Sequence, residues 1–449
     1  MLTALGTITQ TTPRRVHQKK PQPTASATKP PKAAARKVVR PDAGPWDDPK
    51  FVWGLDPWFS ITLNTPQLVV YRLSPKGIFN LTLGENSFEL NLENPNWSDM
   101  PHAMSKVEYI RILNHDDDQR GKRSWKKDKT FFLHFPQCRQ LEISNLDVPS
   151  NDIFNPKKLV RLGVKCNELQ AANKLASLPP FENLRTLELT FSGQGKDSVV
   201  SLEPLSALNK LQALSISMKQ AHWSAFNFAN LKQALQNNPD LREICLTNSD
   251  TNKNVELGDV LKNRLFRYVS LTRFSVRTLS ALDARYLKGL MLAECGVIEE
   301  GFSEHPSHLR SLLLIETEVI AGALKAENLE SLEELHLYQP SDLSMLSSIA
   351  HLKNLWIEKK IQDEGDHTPL TCLENLDILP LSDALALLHI EKITPSDARC
   401  LFPAIKRQPA LQDKIALSFI GKAAVSLNEL LKEYPFEMEN IQEVDSNPS

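Results

Sequence analysis

The 449-residue sequence predicts an α/β solenoid, in which short parallel strands form one long sheet and helices or irregular segments return the chain on the other side. Three observations predict this class. A short leucine pattern recurs along the chain, apolar and polar residues alternate inside each copy, and a helical pattern follows the last copy. The composition, 41% hydrophobic and 24% charged, supplies enough apolar side chains for such a core.

The recurring pattern is Leu-x-x-Leu-x-Leu. Its clearest copies begin at Cys138, Leu159, Leu184, Leu211, Leu241, Leu271, Leu287, Leu309, Leu332, Leu352 and Leu373. Less certain copies begin at Leu68, Ile78, Val107 and Leu385. Because alternate residues of a strand point to opposite faces, places four and six of each copy point inward. Places two, three, five, seven and eight point to solvent. A single copy cannot bury its leucines, so neighbouring copies must stack on it.

The pattern resembles the leucine-rich repeat family over residues 107–390. The family consensus continues with Asn or Cys at place nine, which Asn167 and Cys295 match, while Thr317 is a weaker substitute. The resemblance implies a curved parallel sheet on the concave side, helices and irregular segments on the convex side, and partner binding on the concave side. Residues 224–237 suit a convex-side helix. The 16-residue step from Leu271 to Leu287 predicts a tight connection.

The predicted organisation has five segments. They are a disordered basic tail (1–45), an N-terminal cap region (46–106), the solenoid (107–392), a helical C-terminal cap (393–438) and a frayed tail (439–449). The first segment holds seven prolines and no aromatic residue, so it cannot bury enough apolar surface to fold. Helical spacing of apolar residues over 395–434 predicts two or three amphipathic helices.

The formal net charge of −2 divides unevenly along the chain. Residues 1–41 hold nine Lys/Arg and no acid, and the rest carries a net charge of −11, which disfavours nucleic acid as a partner. We expect no membrane span and no Sec signal peptide. The acid-free tail is similar to the export signals of bacterial effectors delivered into a host cell by a type III-like route, with the nucleus, cytoplasm and mitochondrion as alternatives.

Chemistry-bearing motifs are missing from the sequence. It has no phosphate-binding glycine loop, no nucleophile elbow and no paired zinc histidines, so we expect no catalytic residue, cofactor, metal or small-molecule substrate. The group Glu304, His305 and His308 is interpreted as a solvated loop, because zinc needs three or four convergent ligands. Cys400 is interpreted as a buried structural thiol. The six cysteines are too far apart for a disulfide framework.

The outward places of the later repeats are unusually apolar. The predicted partner-binding residues are Met291, Leu313, Ile315, His336, Tyr338 and Trp356. Such a set on a solvent-facing strand surface indicates a binding patch. Two alternatives are that the side chains pack under the C-terminal cap, or that the register is wrong by one residue.

The sequence therefore favours a non-catalytic protein-recognition scaffold that binds a partner on the concave face, as a bacterial effector acting on host proteins. The alternative is a substrate-recognition adaptor of a ubiquitin ligase in a eukaryotic cell. That function would need an F-box-like helical module before the repeats, and residues 46–103 show no clear helical trio.

Overall fold

The structure, a computed structural model, has an α/β fold dominated by one long sheet. It describes residues 67–72, 78–83, 86–91, 109–114, 137–144, 156–166, 181–191, 201–250, 255–262, 264–303, 306, 308–320, 322–325, 329–359, 369–376, 385–408, 411, 414–420 and 441–444. The basic tail and most of the predicted cap region lie outside these ranges.

The described elements are nineteen strands, two α-helices and several 3₁₀ turns. The strands are β1 (Gln67–Arg72), β2 (Ile78–Leu83), β3 (Asn86–Asn91), β4 (Tyr109–Asn114), β5 (Gln140–Ser144), β6 (Arg161–Cys166), β7 (Thr186–Phe191), β8 (Ala213–Met218), β9 (Glu243–Asn248), β10 (Val255–Glu256), β11 (Tyr268–Thr272), β12 (Phe274–Ser275), β13 (Gly289–Ile298), β14 (Ser311–Val319), β15 (Glu334–Tyr338), β16 (Asn354–Glu358), β17 (Leu387–Ile393), β18 (Ile415–Ile420) and β19 (Ile441–Val444). The helices are α1 (Ala225–Asn237) and α2 (Pro395–Arg407), and the 3₁₀ turns are Pro156–Lys158, Glu203–Ala207, Gln220–His222, Ala284–Tyr286, Ser344–Ser348 and Thr371–Asn375.

Seventeen of the described strands form one sheet. Its pairing order is β3, β2, β1, β4, β5, β6, β7, β8, β9, β11, β13, and then β14 to β19 in sequence. The β1–β2 and β2–β3 pairs are antiparallel, whereas the pairs from β1–β4 onward are parallel. Strands β10 and β12 pair separately. The predicted α/β class with a long parallel sheet is therefore confirmed.

The core of the sheet is a continuous row of aliphatic side chains on one face. Place four of successive strands is at most 2% exposed, and it holds Leu162, Leu187, Leu214, Ile244, Val269, Leu290, Leu312, Leu335, Leu355 and Leu388. Burial of one such side chain contributes about 1.5–3 kcal/mol. The sheet is thus stabilised strand by strand along its length.

The helix expected at residues 224–237 is confirmed as α1. Ser224 caps its N-terminus by accepting a hydrogen bond from the Asn227 amide at 3.3 Å. The fully buried Asn238 side chain follows it, accepts from the Leu211 amide at 2.8 Å and donates to the Leu208 carbonyl at 2.6 Å. These bonds join the helix to the preceding strand connection.

The copy predicted to begin at Leu271 is wrong in register. Leu271 pairs with Leu246 and Leu292, which both occupy place six. Place one of this repeat is the buried Phe266, a residue that a leucine pattern does not match. The next copy therefore starts 21 residues later, at Leu287, and the predicted tight connection disappears.

The copy predicted to begin at Leu373 is also wrong. Leu373 lies in the 3₁₀ turn Thr371–Asn375, where it is fully buried. The strand comes later, in the copy starting at Leu385, with Leu388 and Ile390 paired to β16. An apolar spacing of three and two residues suits a 3₁₀ turn as well as a strand, so the pattern did not separate the two.

In the region of the predicted helical cap, 393–438, the described residues contain one helix, α2, and one strand. Residues 415–420 form β18, because Ile415, Leu417 and Phe419 alternate with period two and pair with the edge of β17. Strand β19 pairs with β18, so the frayed tail predicted over 439–449 is wrong at 441–444. Residues 421–440 lie outside the described ranges.

Candidate protein-binding face

One row of side chains crosses the sheet on the face opposite the leucine core. It is formed by place five of successive strands, and each member is the direct partner of the next. We call it the central row: Glu142, Gly163, Glu188, Ser215, Cys245, Ser270, Met291, Leu313, His336, Trp356 and His389. Since paired strands lie about 4.8 Å apart, these side chains form a contiguous strip.

Four of the six predicted binding residues lie in the second half of this row. Met291 pairs with Leu313, Leu313 with His336, and His336 with Trp356. The one-residue register error considered above is therefore absent from β13 to β16. Met291 and Leu313 are only 7% and 8% exposed, so they lie deeper between their neighbours than an outward place suggests.

The other two predicted residues, Ile315 and Tyr338, occupy place seven, two residues beyond the central row on their strands. Ile315 pairs with Ala293 of β13, and Tyr338 pairs with Glu358 of β16. They do not pair with each other, because the β14–β15 pairing runs only from Ser311 to Leu313 on β14. Both side chains are half-buried.

A cleft opens where β14 and β15 separate. Strand β14 continues along β13 as far as Val319, while β15 continues along β16 as far as Tyr338. The resulting cavity has a volume of about 490 Å³. We call it the β14–β15 cleft, and its lining is Leu314, Val319, Ile320, Gly322, Leu324, Lys325, Leu337, Tyr338, Pro340, Ser341, Asp342, Ser344, Met345 and Ser347.

A bulge common to several repeats shapes this end of the sheet. Place eight has a left-handed backbone at Arg273, Glu294, Glu316, Gln339 and Lys392, with φ between 45° and 58°. The next residue turns back into the core, as Cys295 and Thr317 do. The Thr317 hydroxyl accepts from the Cys295 amide at 3.1 Å and donates to the Leu292 or Ile315 carbonyl, at 3.1 and 3.0 Å.

Places seven, eight and ten bring glutamates close to Tyr338, which lines the cleft, or beside a glutamate that is close to it. We call these five residues the glutamate rim: Glu294, Glu316, Glu318, Glu358 and Glu391. Two basic residues of the same places contact the rim. The Arg273 guanidinium makes a two-pronged pair with the Glu294 carboxylate at 2.7 and 2.8 Å, and Lys392 contacts Glu358 and lies 3.6 Å from Glu316.

The rim sets the protonation of the groups around it. Burial opposes the charge of Glu358, but the contacts of its carboxylate with His336 and Lys392 outweigh burial and hold the pKa of Glu358 below its usual range. Burial, and then the charges of Glu316, Glu358, Glu318 and Glu294, raise the pKa of the Tyr338 phenol far above its usual value. Tyr338 is therefore a neutral hydrogen-bond donor beside a negative rim.

Both histidines in the second half of the central row lie beside a glutamate. His336 Nε2 is 3.2 Å from the Glu358 carboxylate, and His389 Nδ1 is 3.4 Å from Glu391. His389 was not among the predicted residues, because the copy that contains it was ranked as uncertain. Its place-five position in the Leu385 copy was the sequence pattern that could have found it.

The residues considered for metal binding and catalysis are described only in part. Glu304 and His305 lie outside the described residues, and His308 is exposed. In the described ranges no three His, Cys, Asp or Glu side chains converge as metal ligands. Cys400, expected to be buried, is half-buried, and burial together with the nearby Glu374 carboxylate raises the pKa of its thiol to about 11. Such a thiol stays protonated at neutral pH.

No protein-family model matches this chain, and a search of curated proteins found no match. Neither described helix combines the length and the apolarity needed to cross a bilayer.

Proposed function

We propose that this chain is a non-catalytic protein-recognition scaffold of the leucine-rich repeat type, and that its partner binds the second half of the central row. The observation that carries the proposal is the register that places Met291, Leu313, His336 and Trp356 side by side across four strands. His389 extends the strip by one strand.

The chemistry of the strip supports recognition of a protein rather than a small polar ligand. Aromatic, thioether and aliphatic side chains on a face opposite the core are typical of protein interfaces, and Trp and Tyr are enriched among the residues that carry binding energy. Trp356 and Tyr338 are both partly accessible, which leaves surface to bury against a partner.

For the cellular role, we propose a bacterial effector acting on host proteins, on the strength of the acid-free tail over residues 1–41. Fusing residues 1–50 to a reporter and measuring type III-dependent delivery tests this role. Import into the nucleus or mitochondrion without delivery would contradict it. The alternative is an adaptor of a ubiquitin ligase, which predicts co-purification with ligase subunits.

The binding face is tested with the double variant Trp356→Ala, Tyr338→Ala in the full chain. We expect its affinity for the captured partner to fall at least about tenfold, because each residue would contribute to the interface, with a nearly unchanged thermal midpoint. Affinity capture followed by titration of the identified partner provides the measurement.

The matched control is Tyr286→Ala, since Tyr286 is exposed and lies outside the central row. It should bind as the wild type does. A thermal midpoint that collapses in the double variant would assign Trp356 and Tyr338 to the core instead, and unchanged partner binding would contradict the proposed face.

A further inference from the structure

We infer that the partner presents an extended basic segment, with one apolar side chain entering the β14–β15 cleft and Lys or Arg side chains meeting the glutamate rim. This inference rests on the proposed function, because it assigns the chemistry of the partner at the same face.

The cleft has the form of an anchor pocket for a side chain. Its deep walls are Leu314, Leu324 and Leu337, all nearly inaccessible to solvent, and Ile320 at its mouth is 48% exposed. Its volume of about 490 Å³ lies within the range of about 300–1,000 Å³ that ligand pockets have. Ser341, Ser344 and Ser347 line another part of the cleft. The apolar walls, with Ile320 at the mouth, favour an aliphatic or aromatic anchor.

The cleft is also continuous with the proposed binding strip. Tyr338 belongs to the predicted binding residues and also lines the cleft, so the strip and the cleft share this residue. A segment that lies across the strip and passes Tyr338 would therefore reach the cleft. This continuity favours a bound peptide segment over a separate small ligand.

The charges around the cleft select a basic segment. Four rim carboxylates, those of Glu294, Glu316, Glu358 and Glu391, belong to places seven and eight. The basic residues of these places that contact the rim are Arg273 and Lys392, so the acids outnumber these bases. The Glu316 side chain remains 45% exposed despite its Lys392 contact. The cleft itself is lined by one base and one acid, Lys325 and Asp342, which offset each other. Opposite charge on the partner would steer its approach, while an acidic segment would be repelled.

A selection from a phage-displayed library of random 12-residue peptides on the full chain tests the inference. We expect the selected peptides to be enriched at least about threefold in Lys and Arg over the starting library, around a recurrent apolar position. Synthetic copies should bind more weakly as salt is raised, because the rim carboxylates other than Glu358 are at least partly exposed to solvent.

The decisive variants are Glu316→Gln with Glu391→Gln, which remove rim charge, and Ile320→Ser, which makes the mouth of the cleft polar. The first pair should abolish the preference for a Lys-flanked peptide over its Gln-flanked copy. Ile320→Ser should weaken both peptides equally. The control, Glu203→Gln with Glu256→Gln, removes two exposed carboxylates elsewhere and should leave the preference intact.

The outcomes separate this inference from the proposed function. Peptides without basic enrichment, a preference that survives Glu316→Gln with Glu391→Gln, or failure to select any peptide would overturn the inference. The proposed function would still stand if Trp356→Ala with Tyr338→Ala lost the captured partner. A homodimer that the same double variant dissociates would also overturn the inference, since a second copy would then be the occupant.

Discussion

The central row has two halves that share one backbone geometry but carry different chemistry. From β6 to β11 it holds Gly163, Glu188, Ser215, Cys245 and Ser270, which are small or polar. From β13 to β17 the same place holds Met291, Leu313, His336, Trp356 and His389. Strand pairing and core leucines are alike in both halves, so the fold does not require this change. Because core packing and strand pairing do not depend on the side chain at place five, that side chain can differ between repeats to suit a function.

The largest effect on stability is expected at a buried ion pair between Lys359, which follows β16, and Asp397 of α2. The Asp397 carboxylate is fully buried, lies 2.8 Å from Lys359 Nζ and accepts from the Leu370 and Thr394 amides, each at 2.7 Å. Asp397→Ala would leave Lys359 charged and buried, so we expect a loss of about 3–5 kcal/mol in the free energy of unfolding. Urea denaturation measures it.

An exposed ion pair on the N-terminal side of the molecule provides the matched control for that prediction. Asp259 forms an ion pair of similar length, 3.0 Å, with Lys232, but both side chains are largely exposed. Asp259→Ala should leave the unfolding midpoint almost unchanged, because solvent screens the pair. Equal losses in the two variants would show that burial does not decide the contribution of these pairs.

A smaller effect is expected from a methyl group added beside the cleft. A Cβ atom on Gly301 would lie 2.0 Å from the Ala323 carbonyl oxygen, in the backbone that follows β14. Gly301→Ala should therefore cost about 1–3 kcal/mol and displace the cleft wall. Thermal unfolding gives the first quantity, and binding of a selected peptide reports the second.

Gly163 of the first half is the corresponding control. Its added Cβ would lie 3.2 Å from the Glu142 Cγ atom, which belongs to a side chain that can move. Gly163→Ala should have little effect on stability. A loss as large as that of Gly301→Ala would show that the outer face of the first half is also tightly constrained.

The smallest effect is expected in the pH dependence of the free energy of unfolding. The pKa of Glu358 is lower in the folded protein than its ordinary value of 4.5, so its contribution to stability is complete above pH 4.5 and is lost as the pH falls through the folded pKa. When the pH is lowered from 5, the free energy of unfolding should fall less in Glu358→Gln than in the wild type. Urea titrations at several pH values test this, and Asp259→Asn is the exposed comparison. A steeper fall of the free energy of unfolding with decreasing pH in Glu358→Gln than in the wild type would contradict this prediction.

The repeat pattern located strands where leucine or cysteine occupies place one. The central row from Met291 to Trp356 was therefore predicted with the correct register. The pattern failed where another residue fills place one, as Phe266 does, or where leucine spacing also suits a 3₁₀ turn, as at Leu373. In both cases packing against the neighbouring repeat decided the outcome, and a single repeat does not contain that information.

The β14–β15 cleft could not be predicted for a similar reason. It depends on where β14 and β15 stop pairing, after Leu313 and His336, and the leucine pattern of the two repeats does not mark that point. The glutamate rim was also missed, because the prediction rested on the apolar members of the outward places and not on their acids.

The left-handed backbone at place eight has a consequence for the balance between stability and activity. A non-glycine residue in this conformation costs about 1–2 kcal/mol, whereas glycine adopts it freely and loses about 0.5–1 kcal/mol through its greater freedom in the unfolded chain. Glu316 has φ of 46° and keeps its charge at the expense of local strain. Glycine there would relax the backbone and remove rim charge together. Under the proposed binding mode, Glu316→Gly is therefore expected to be more stable than the wild type and to bind the partner more weakly, which is the trade-off found at many functional sites.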